Sequence, residues 1–209
     1  GDLMLRRFLL GILVVSLANL AWAGVPDLGL STAVIPDGAA GASVFALPNG
    51  LGSSLDEAFA DGGATVDATI TLTLVDSNGD GIFLYPFQDL WLETSDNGLA
   101  YCNGGTDADA STDENGQTTW TNPVNGGGCS DGELVEIYVA GSPLSGAGLD
   151  ITFNSADLNG DLAVNLADIV TFTQVLNGDY DYCADFNNDG AINLADIVRM
   201  TGGIGAACN

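Results

Sequence analysis

Two stretches near the C-terminal end of the chain repeat one pattern of oxygen-bearing side chains. Residues 157–170 read DLNGDLAVNLADIV and residues 185–198 read DFNNDGAINLADIV. In each stretch Asp or Asn occupies positions 1, 3, 5, 9 and 12 of a twelve-residue loop, and position 7 can offer its backbone carbonyl. Hard oxygen ligands at this spacing fold around a cation with the size and variable coordination of calcium. The sequence therefore predicts two calcium sites, with the ligands Asp157, Asn159, Asp161, Ala163, Asn165 and Asp168 in the first loop and Asp185, Asn187, Asp189, Ala191, Asn193 and Asp196 in the second.

Two other interpretations of these loops are weaker. Magnesium is a poorer match, because it needs a tight octahedron and keeps its water. Solvated acidic turns that cap two helices would not require two copies of so specific a pattern. The loops differ at position 6, where the sharp turn prefers glycine, because the first has Leu162 and the second has Gly190. The first site is therefore expected to bind the ion more weakly.

An apolar pattern with helical spacing follows each loop. The residues concerned are Ile169, Val170, Phe172, Val175 and Leu176 after the first loop and Ile197, Val198 and Met200 after the second. Gly202-Gly203 is expected to end the second helix early. The change from the preceding pattern falls near residue 155.

This duplicated loop-helix unit is similar to the dockerin module, and the resemblance covers about residues 155–209. It implies a small α-helical module that binds calcium and a cohesin-like partner. In cellulosomal dockerins the residues just before the last ligand help to choose the cohesin and are usually polar. Here they are Leu166-Ala167 and Leu194-Ala195. Their apolar character would also allow the module to pack against the chain's own preceding domain.

The chain before this module has the pattern of a β-rich fold. Apolar residues alternate with threonines over residues 68–74, which is the period of a strand with one buried face. Other predicted strands are residues 28–35, 43–47, 82–92, 99–101, 117–121, 134–140 and 149–153, with a short helical turn at 54–60. Gly- and Asn-containing turns separate them, at 78–79, 97–98, 115–116, 126–128 and 140–141. Many short strands between such turns predict an antiparallel β-sandwich.

Residues 68–153 resemble bacterial Ig-like domains of the invasin and adhesin type. The resemblance depends on the segments ATITLTLVDSNGDGI, STDENGQTTWT, LVEIYVAGSPL and LDITF. The predicted fold class is mainly β, an Ig-like antiparallel β-sandwich with a small C-terminal α-helical dockerin-like calcium-binding module. The expected divisions are a signal peptide with upstream residues (1–23), an N-terminal strand and joint (24–41), the sandwich (42–154) and the module (155–209).

The first 23 residues have the pattern of a signal peptide. Arg6 and Arg7 precede an almost unbroken apolar run over residues 8–20, and Ala21-Trp22-Ala23 supplies small residues for cleavage before Gly24. A retained membrane anchor is the alternative, although the run is short for a membrane span. We therefore expect a secreted protein, extracellular or at the cell surface, with no membrane contact after the leader is cleaved.

The charge of the cleaved chain would be extreme. Of 28 acidic residues only Asp2 precedes Gly24, which leaves 28 − 1 = 27, and of three basic residues only Arg199 remains, so the net charge is 1 − 27 = −26. Such a surface repels nucleic acid and anionic membranes, which are therefore excluded as partners. Divalent cations would relieve the repulsion.

The four cysteines predict two disulfides in an oxidising compartment. Three connectivities are possible. Cys102–Cys129 with Cys183–Cys208 is expected, because each bond then closes a loop within one predicted module. A zinc site is not expected, because the chain has no CxxC spacing and no histidine.

The residues that remain do not predict an enzyme. Without His or Lys, only a pair of carboxylates could act as acid and base, as in glycosidases, and the glutamates are scattered. The segment 76–81 begins like the calcium loops, but its twelfth position is Phe87, so a turn is expected. The acidic group Asp107, Asp109, Asp113 and Glu114 is expected to be a solvated loop, with a further cation site as the alternative.

Two functions are consistent with these patterns. The preferred one is a structural subunit of a calcium-stabilised surface or shed fibre. Its N-terminal strand, residues 28–35, would leave its own domain through the flexible joint 36–41 and complete the sandwich of a neighbouring subunit, so that the chains self-associate into a filament. Pairing of this strand within its own sheet is the alternative. The second function is a non-catalytic docking module that binds a cohesin-like partner in an extracellular complex.

Overall fold

The computed structural model describes residues 24–132, 134–146 and 148–209, so the expected signal peptide lies outside the described residues. Within them the chain is mainly β, as predicted, with twelve strands and two α-helices. The strands are β1 (Thr32–Val34), β2 (Ala42–Ala46), β3 (Ala58–Phe59), β4 (Thr65–Val66), β5 (Ile70–Thr73), β6 (Leu90–Thr94), β7 (Leu99–Tyr101), β8 (Gln117–Trp120), β9 (Gly126–Gly128), β10 (Val135–Val139), β11 (Ser142–Pro143) and β12 (Ile151–Ser155). The helices are α1 (Leu166–Leu176) and α2 (Leu194–Gly203). Neither helix in this part of the chain is long and apolar enough to cross a membrane.

The strands form four small sheets. Their strand orders are β1-β5-β8, β11-β10-β6, β12-β2-β3-β4 and β7-β9. The pairings between these strands are antiparallel except that of β12 with β2, which is parallel from Ile151 opposite Ala42 to Ser155 opposite Ala46. A parallel pair needs a long connection, and here most of the β-region lies between the two strands. The sheet that holds them therefore brings the end of the β-region next to its beginning.

Alternating burial explains why the central strands form where the sequence predicts them. In β5, Ile70 and Leu72 are fully buried while the intervening threonines are partly exposed. The same alternation holds in β6 and β10. Trp120 is also buried, and its indole nitrogen donates to the Thr106 carbonyl at 2.9 Å. Since burying one such aliphatic side chain stabilises a fold by about 1.5–3 kcal/mol, this core accounts for the register of the sheets.

The strand predicted at residues 82–92 is wrong over most of its length, because β6 begins only at Leu90. Leu84 has a φ of 57°, which is incompatible with a strand, and Pro86 precedes a short 3-10 turn at Phe87–Asp89. The buried Thr112 stabilises this loop. Its hydroxyl accepts the Tyr85 amide at 2.8 Å, and its carbonyl accepts the Leu84 amide at 2.9 Å. A residue distant in sequence therefore overrides the local apolar pattern.

Two further predicted segments differ from the structure. The strand predicted at 28–35 is reduced to β1, which pairs with β5 in its own sheet through Ala33 opposite Leu72. Before it, the Asp27 carboxylate accepts the Gly29 amide at 2.9 Å and so closes a turn. The triple glycine 126–128, predicted as a turn, is strand β9 and pairs with β7.

The two helices pack against the β-region around a second apolar core. Phe45 and Phe59 of the β12-β2-β3-β4 sheet contribute to it, and the Phe186 ring lies 5.2 Å from that of Phe45 between ring centroids. The expectation that α2 ends before Gly202-Gly203 is wrong. A Cβ atom on Gly203 would come within 2.9 Å of side-chain atoms of Ala156 and Leu47, so the glycine allows the helix to approach the sheet.

The disulfides join the β-region to the C-terminal region, and the predicted pairing is wrong. Cys102 is bonded to Cys208 and Cys129 to Cys183, and no cysteine is free. The register of β7 with β9 explains the difference, because Leu99 lies opposite Gly128 and Tyr101 opposite Gly126. Cys102 and Cys129 therefore lie beyond opposite ends of this ribbon, roughly 13 Å apart along the strand at about 3.3 Å per residue, well beyond the roughly 7 Å between Cα atoms that a disulfide can span.

Candidate metal centre

The first loop brings three carboxylates together between β12 and α1. Oxygen atoms of Asp157, Asp161 and Asp168 lie within 4.8 Å of one another. Backbone amides orient the two buried carboxylates. The Asp161 and Leu162 amides donate to Asp157 at 3.2 and 2.8 Å, and the Asn159 and Asn165 amides donate to Asp168 at 3.2 and 2.9 Å. This triad is a possible set of metal ligands.

The second loop repeats most of these hydrogen bonds. The Asp189 and Gly190 amides donate to Asp185 at 3.1 and 2.8 Å, and the Asn193 amide donates to Asp196 at 2.8 Å. One contact differs between the loops. The other oxygen of Asp196 accepts the amide of Phe186, the second residue of its loop, at 2.8 Å, whereas in the first loop Asp168 accepts the amide of the third residue, Asn159. In the part of the chain that the structure describes, a carboxylate triad within 4.8 Å occurs only in the first loop. The ligands predicted for the second loop are therefore less tightly gathered.

The ninth residue of each loop caps the helix that follows. Asn165 accepts the Ala167 amide at 2.9 Å and Asn193 accepts the Ala195 amide at 2.8 Å, and each forms a capping box with the aspartate three residues later. Their side-chain amides also donate to the carbonyls of Ala163 and Ala191. The side-chain oxygens of both asparagines therefore already accept a hydrogen bond. This fits a residue that contacts the ion through a water molecule, as is common at the ninth position of such a loop.

The carboxylates of the two loops are buried, and the described residues offer little positive charge to balance them. Asp157, Asp168, Asp185 and Asp196 are each fully buried. Burial raises the pKa of Asp157 and of Asp196, and in both cases neighbouring aspartates of the same loop add to the effect. Arg199 is the only Lys or Arg among the described residues, and its guanidinium lies over the Phe59 ring at 4.3 Å. Burial lowers the pKa of Arg199, while attraction to Asp196 opposes this.

One oxygen in the second loop lacks a hydrogen-bond donor. The side-chain oxygen of Asn187 is buried and has no partner, while its amide nitrogen donates to Asp189 at 2.9 Å. That hydrogen bond is the main reason why the pKa of Asp189 is below its ordinary value. A buried acceptor in a folded protein is nearly always paired with a protein group, a water molecule or an ion. Asn187 occupies the third position of the predicted calcium loop, so the donor set fits a cation there.

The first loop also rests on the β-region, which the sequence did not indicate. The Asp157 carbonyl accepts the Gly128 amide at 2.7 Å. A Cβ atom on Gly127 would come within 1.9 Å of the Asp157 carboxylate, so only glycine allows this approach. The triple glycine of β9 is the one sequence signal for this contact, since a glycine in a strand often marks close approach of another segment.

The apolar residues at the starts of the helices do not pack against the β-region, although their apolar character would have allowed it. Leu166 and Leu194 are each 71 % exposed. Val170 and Val198, one turn further along each helix, are 50 % and 61 % exposed. Other side chains, among them Phe172 and Met200, form the buried side of the helices. The repeat therefore presents two equivalent exposed apolar pairs to solvent.

The two acidic segments that resemble the loops have local roles in turns. The Asp76 carboxylate accepts the amides of Asn78 and Asp80 at 2.8 and 3.1 Å, and these bonds hold its pKa below the ordinary value. Asp113 makes the matching pair of contacts, at 2.8 Å to each of two amides. Asp109 accepts the Thr121 amide at 2.7 Å. These carboxylates thus stabilise backbone turns.

A swap at position 6 of the loops tests whether the turn controls calcium affinity. Leu162 adopts a left-handed φ of 66°, and Gly190 has 84° at the equivalent position. The left-handed region costs a non-glycine residue about 1–2 kcal/mol. Replacing Leu162→Gly is therefore expected to tighten calcium binding by the first loop by about five- to thirtyfold, since 1.4 kcal/mol is tenfold. Isothermal titration calorimetry measures the change.

The reciprocal variant is the control. A Cβ atom on Gly190 meets nothing within 4 Å, so Gly190→Leu adds backbone strain without a steric clash. Binding by the second loop should weaken by a similar factor. Unchanged affinities in both variants would show that the two turns do not shape an ion site.

Comparison with family models and with curated proteins gives no match. Among solved structures the chain is similar to the crystal structure of the Lin-41 filamin domain, with 19 % sequence identity and a TM-score of 0.29. The similarity covers 60 % of this chain and 95 % of that one.

Proposed function

We propose that this chain is a secreted, non-catalytic docking protein, in which an Ig-like β-sandwich carries a dockerin-like module that is stabilised by two calcium ions. The observation that carries the proposal is the duplicated loop, in which the same backbone amides hold buried aspartates in both copies. The two loops bury four carboxylates, Arg199 is the only Lys or Arg among the described residues, and a cation would offset the desolvation of these groups. Calcium fits because the donors are oxygens of carboxylates, amides and carbonyls.

The predicted ligands divide between the two ions as follows. Asp157, Asp161 and Asp168 would hold the first ion, and Asp185, Asp189 and Asp196 the second, with Asn187 offering its orphan oxygen. Calcium would supply the positive charge that this region lacks. The two disulfides and the extreme negative charge support an extracellular location, because disulfides persist in oxidising compartments.

The two exposed apolar pairs, Leu166 with Val170 and Leu194 with Val198, support docking over the fibre hypothesis. Each pair lies on the first turns of a helix whose start is anchored by the calcium loop. Exposed apolar residues that recur at equivalent places on a polar module are typical of a binding surface. Since these residues remain free of the β-region, a cohesin-like partner can reach them, and calcium would set the helix that presents them.

Titration with a panel of purified cohesin domains tests docking. At least one domain is expected to bind in calcium and to lose binding in chelator. Changing Leu166→Ser together with Leu194→Ser should weaken the complex at least tenfold, because both apolar pairs lose an anchor of about 1.5–3 kcal/mol.

Leu30→Ser with Leu51→Ser is the matched control, since both side chains are exposed in the β-region. This variant should bind as the wild type does. Docking by the helices is wrong if no domain binds, or if both double variants bind equally well.

One observation favours the fibre hypothesis as a second candidate. β1 is a three-residue strand at the edge of its sheet, and Gly38 and Gly41 in the following joint both have positive φ. A short edge ladder is the part of a sheet that exchanges most easily. Its pairing with β5 in the single chain would then be the closed form of a donor strand.

Size-exclusion chromatography in calcium tests strand donation. Residues 24–209 should polymerise, residues 42–209 should stay monomeric, and a peptide of residues 24–36 should block assembly. If both lengths stay monomeric, or both polymerise equally, the strand serves only its own sheet.

A further inference from the structure

The outer face of the β11-β10-β6 sheet carries aromatic rings and carboxylates that are not among the predicted calcium ligands. Its members are Trp91 and Glu93 on β6, Glu136 and Tyr138 on β10, Tyr101 on β7 and Asp107 beside β6. The neighbouring residues Leu90, Leu92, Val135 and Ile137 point into the core, so the alternation of the strands places this set on the outside. We call it the acidic–aromatic face.

The rings on this face lie side by side. Trp91 and Tyr138 are directly opposite each other on adjacent strands, and their rings are nearly parallel, 18° apart, with centroids separated by 5.6 Å. Pro143 of β11 lies opposite Tyr138, and Asp107 lies opposite Trp91 on the other side. Both aromatic side chains are partly exposed, and the nearby Tyr101 is 40 % exposed. A row of rings thus crosses the sheet and ends at a carboxylate.

The carboxylates on this face lie near other carboxylates, which is electrostatically unfavourable. Glu93 and Glu136 are direct cross-strand partners, and like charges in that position destabilise a sheet. Asp107 is partly desolvated and lies near Asp89, and both effects raise its pKa. The only Lys or Arg in the described part of the chain, Arg199, packs against Phe45 and Phe59 in the second core. The residues that the structure describes therefore provide no positive charge for this face.

The hydrogen-bond donors of the face are already engaged. The Trp91 indole nitrogen donates to one oxygen of Glu93 at 2.8 Å, and the Tyr101 hydroxyl donates to the same oxygen at 3.1 Å. The Tyr138 side chain also forms a hydrogen bond with Glu136. What remains for a ligand is the second Glu93 oxygen, the other acceptor positions of the Glu136 carboxylate and the aromatic surfaces. A ligand that fits must donate hydrogen bonds, carry positive charge and stack on rings, and the arginine guanidinium has all three properties.

We propose that the acidic–aromatic face binds an arginine-bearing segment of a partner protein, with guanidinium groups stacked on Trp91 and Tyr138 and hydrogen-bonded to Glu93 and Glu136. A sugar could stack on the same rings, but its neutral hydroxyls would leave the opposed glutamates uncompensated. Lysine would supply charge without the planar fork that pairs with a carboxylate. Arginine should therefore bind more tightly than lysine at equal charge.

Fluorescence anisotropy with the full chain in saturating calcium tests this. The probes are labelled Gly-Arg repeat peptides, the same peptides with lysine, and the same peptides with neutral citrulline in place of arginine. The arginine peptide should bind at least threefold more tightly than the lysine peptide, and the citrulline peptide should not bind. Raising the salt should weaken binding, because part of the attraction is between screened charges.

Since the whole chain is acidic, the variants must separate this face from general attraction. Glu93→Gln with Glu136→Gln is expected to weaken arginine-peptide binding about tenfold, and Trp91→Leu about fivefold, in line with the range for cation–π contacts. The control Asp37→Asn with Asp61→Asn removes the same charge from exposed sites elsewhere and should change binding less than twofold.

Thermal unfolding checks that the variants are folded. Neutralising the opposed glutamates should not lower the melting temperature. Equal weakening by the control variant would mean that the peptide binds the overall charge, and the proposal would fail. It would fail equally if a glycan oligosaccharide bound the face and the arginine peptide did not.

Discussion

Removing calcium is expected to lower the melting temperature of this protein strongly and to abolish most of its helical circular dichroism. Without the ion, each loop buries two carboxylates whose charges repel, namely Asp157 with Asp168 and Asp185 with Asp196. At free calcium a thousandfold above the dissociation constant, each site would add about 4 kcal/mol of stability, or about 8–16 °C for a chain of this size. Calorimetry and circular dichroism in calcium and in chelator measure both effects.

Neutral variants separate the metal from other causes of stability. Asp157→Asn should remove the calcium response of the first loop, because the amide cannot replace a charged ligand. In chelator the same variant should differ from the wild type much less than it does in calcium, because it removes a buried charge but also one of the two oxygens that accept the Asp161 and Leu162 amides. Asp76→Asn is the matched control, because Asp76 holds a similar turn outside the loops. Its effect should be the same with and without calcium. Identical melting of the wild type in calcium and in chelator would contradict both calcium sites.

The clustering of carboxylates in the first loop was predictable because its signal is local. The ligand spacing lies within twelve residues, and the structure keeps the first, fifth and twelfth residues of the first loop together. The central strands were predictable for the same reason. Strands β5 and β10 each have one buried face, so apolar residues occupy alternate positions of their sequences. The dual use of Asn165 and Asn193 as helix caps was not predicted, although asparagine before a helix is a capping signal.

What failed depended on contacts between distant segments. The apolar run at 82–92 looks like one strand, but Thr112, some 27 residues away, holds Tyr85 in a loop. The triple glycine of β9 looks like a turn until Asp157 is placed beside it. In these cases the residue that makes the decisive contact lies outside the segment whose pattern was used for the prediction.

The disulfides give the second large effect, and their pairing has a direct test. Because the chain has no lysine and only Arg199 after the predicted cleavage point, trypsin separates only Cys208 from the other three cysteines, but proteases that cleave at acidic residues can separate all four. Non-reducing peptide mapping should recover Cys102 linked to Cys208 and Cys129 linked to Cys183. Peptides linking Cys102 to Cys129 would restore the pairing expected from the sequence and contradict the docking of the C-terminal region on β7 and β9.

The two bonds are nested, which sets their expected contributions. The outer bond spans 106 residues and the inner bond 54, so with the inner bond intact the outer one closes about 106 − 54 = 52 residues. Loops of this size correspond to about 4 kcal/mol each in the chain-entropy model. Each double Cys→Ser variant should therefore lower the free energy of unfolding by about that amount, as measured by denaturant titration in calcium.

The two variants should differ in which calcium loop they weaken. Cys208 follows a segment that lies along the first loop, where the Val164 amide donates to the Ala206 carbonyl at 2.8 Å and Ala163 pairs with Ala207. Cys183 instead lies two residues before Asp185, the first ligand of the second loop. Loss of the outer bond should therefore weaken calcium binding mainly at the first site, and loss of the inner bond mainly at the second. Calorimetric titration of each variant, with the Leu162→Gly and Gly190→Leu changes used to assign the sites, measures this. Equal weakening of both sites by either variant would mean that the disulfides stabilise the module as a whole and leave no loop under the control of one bond.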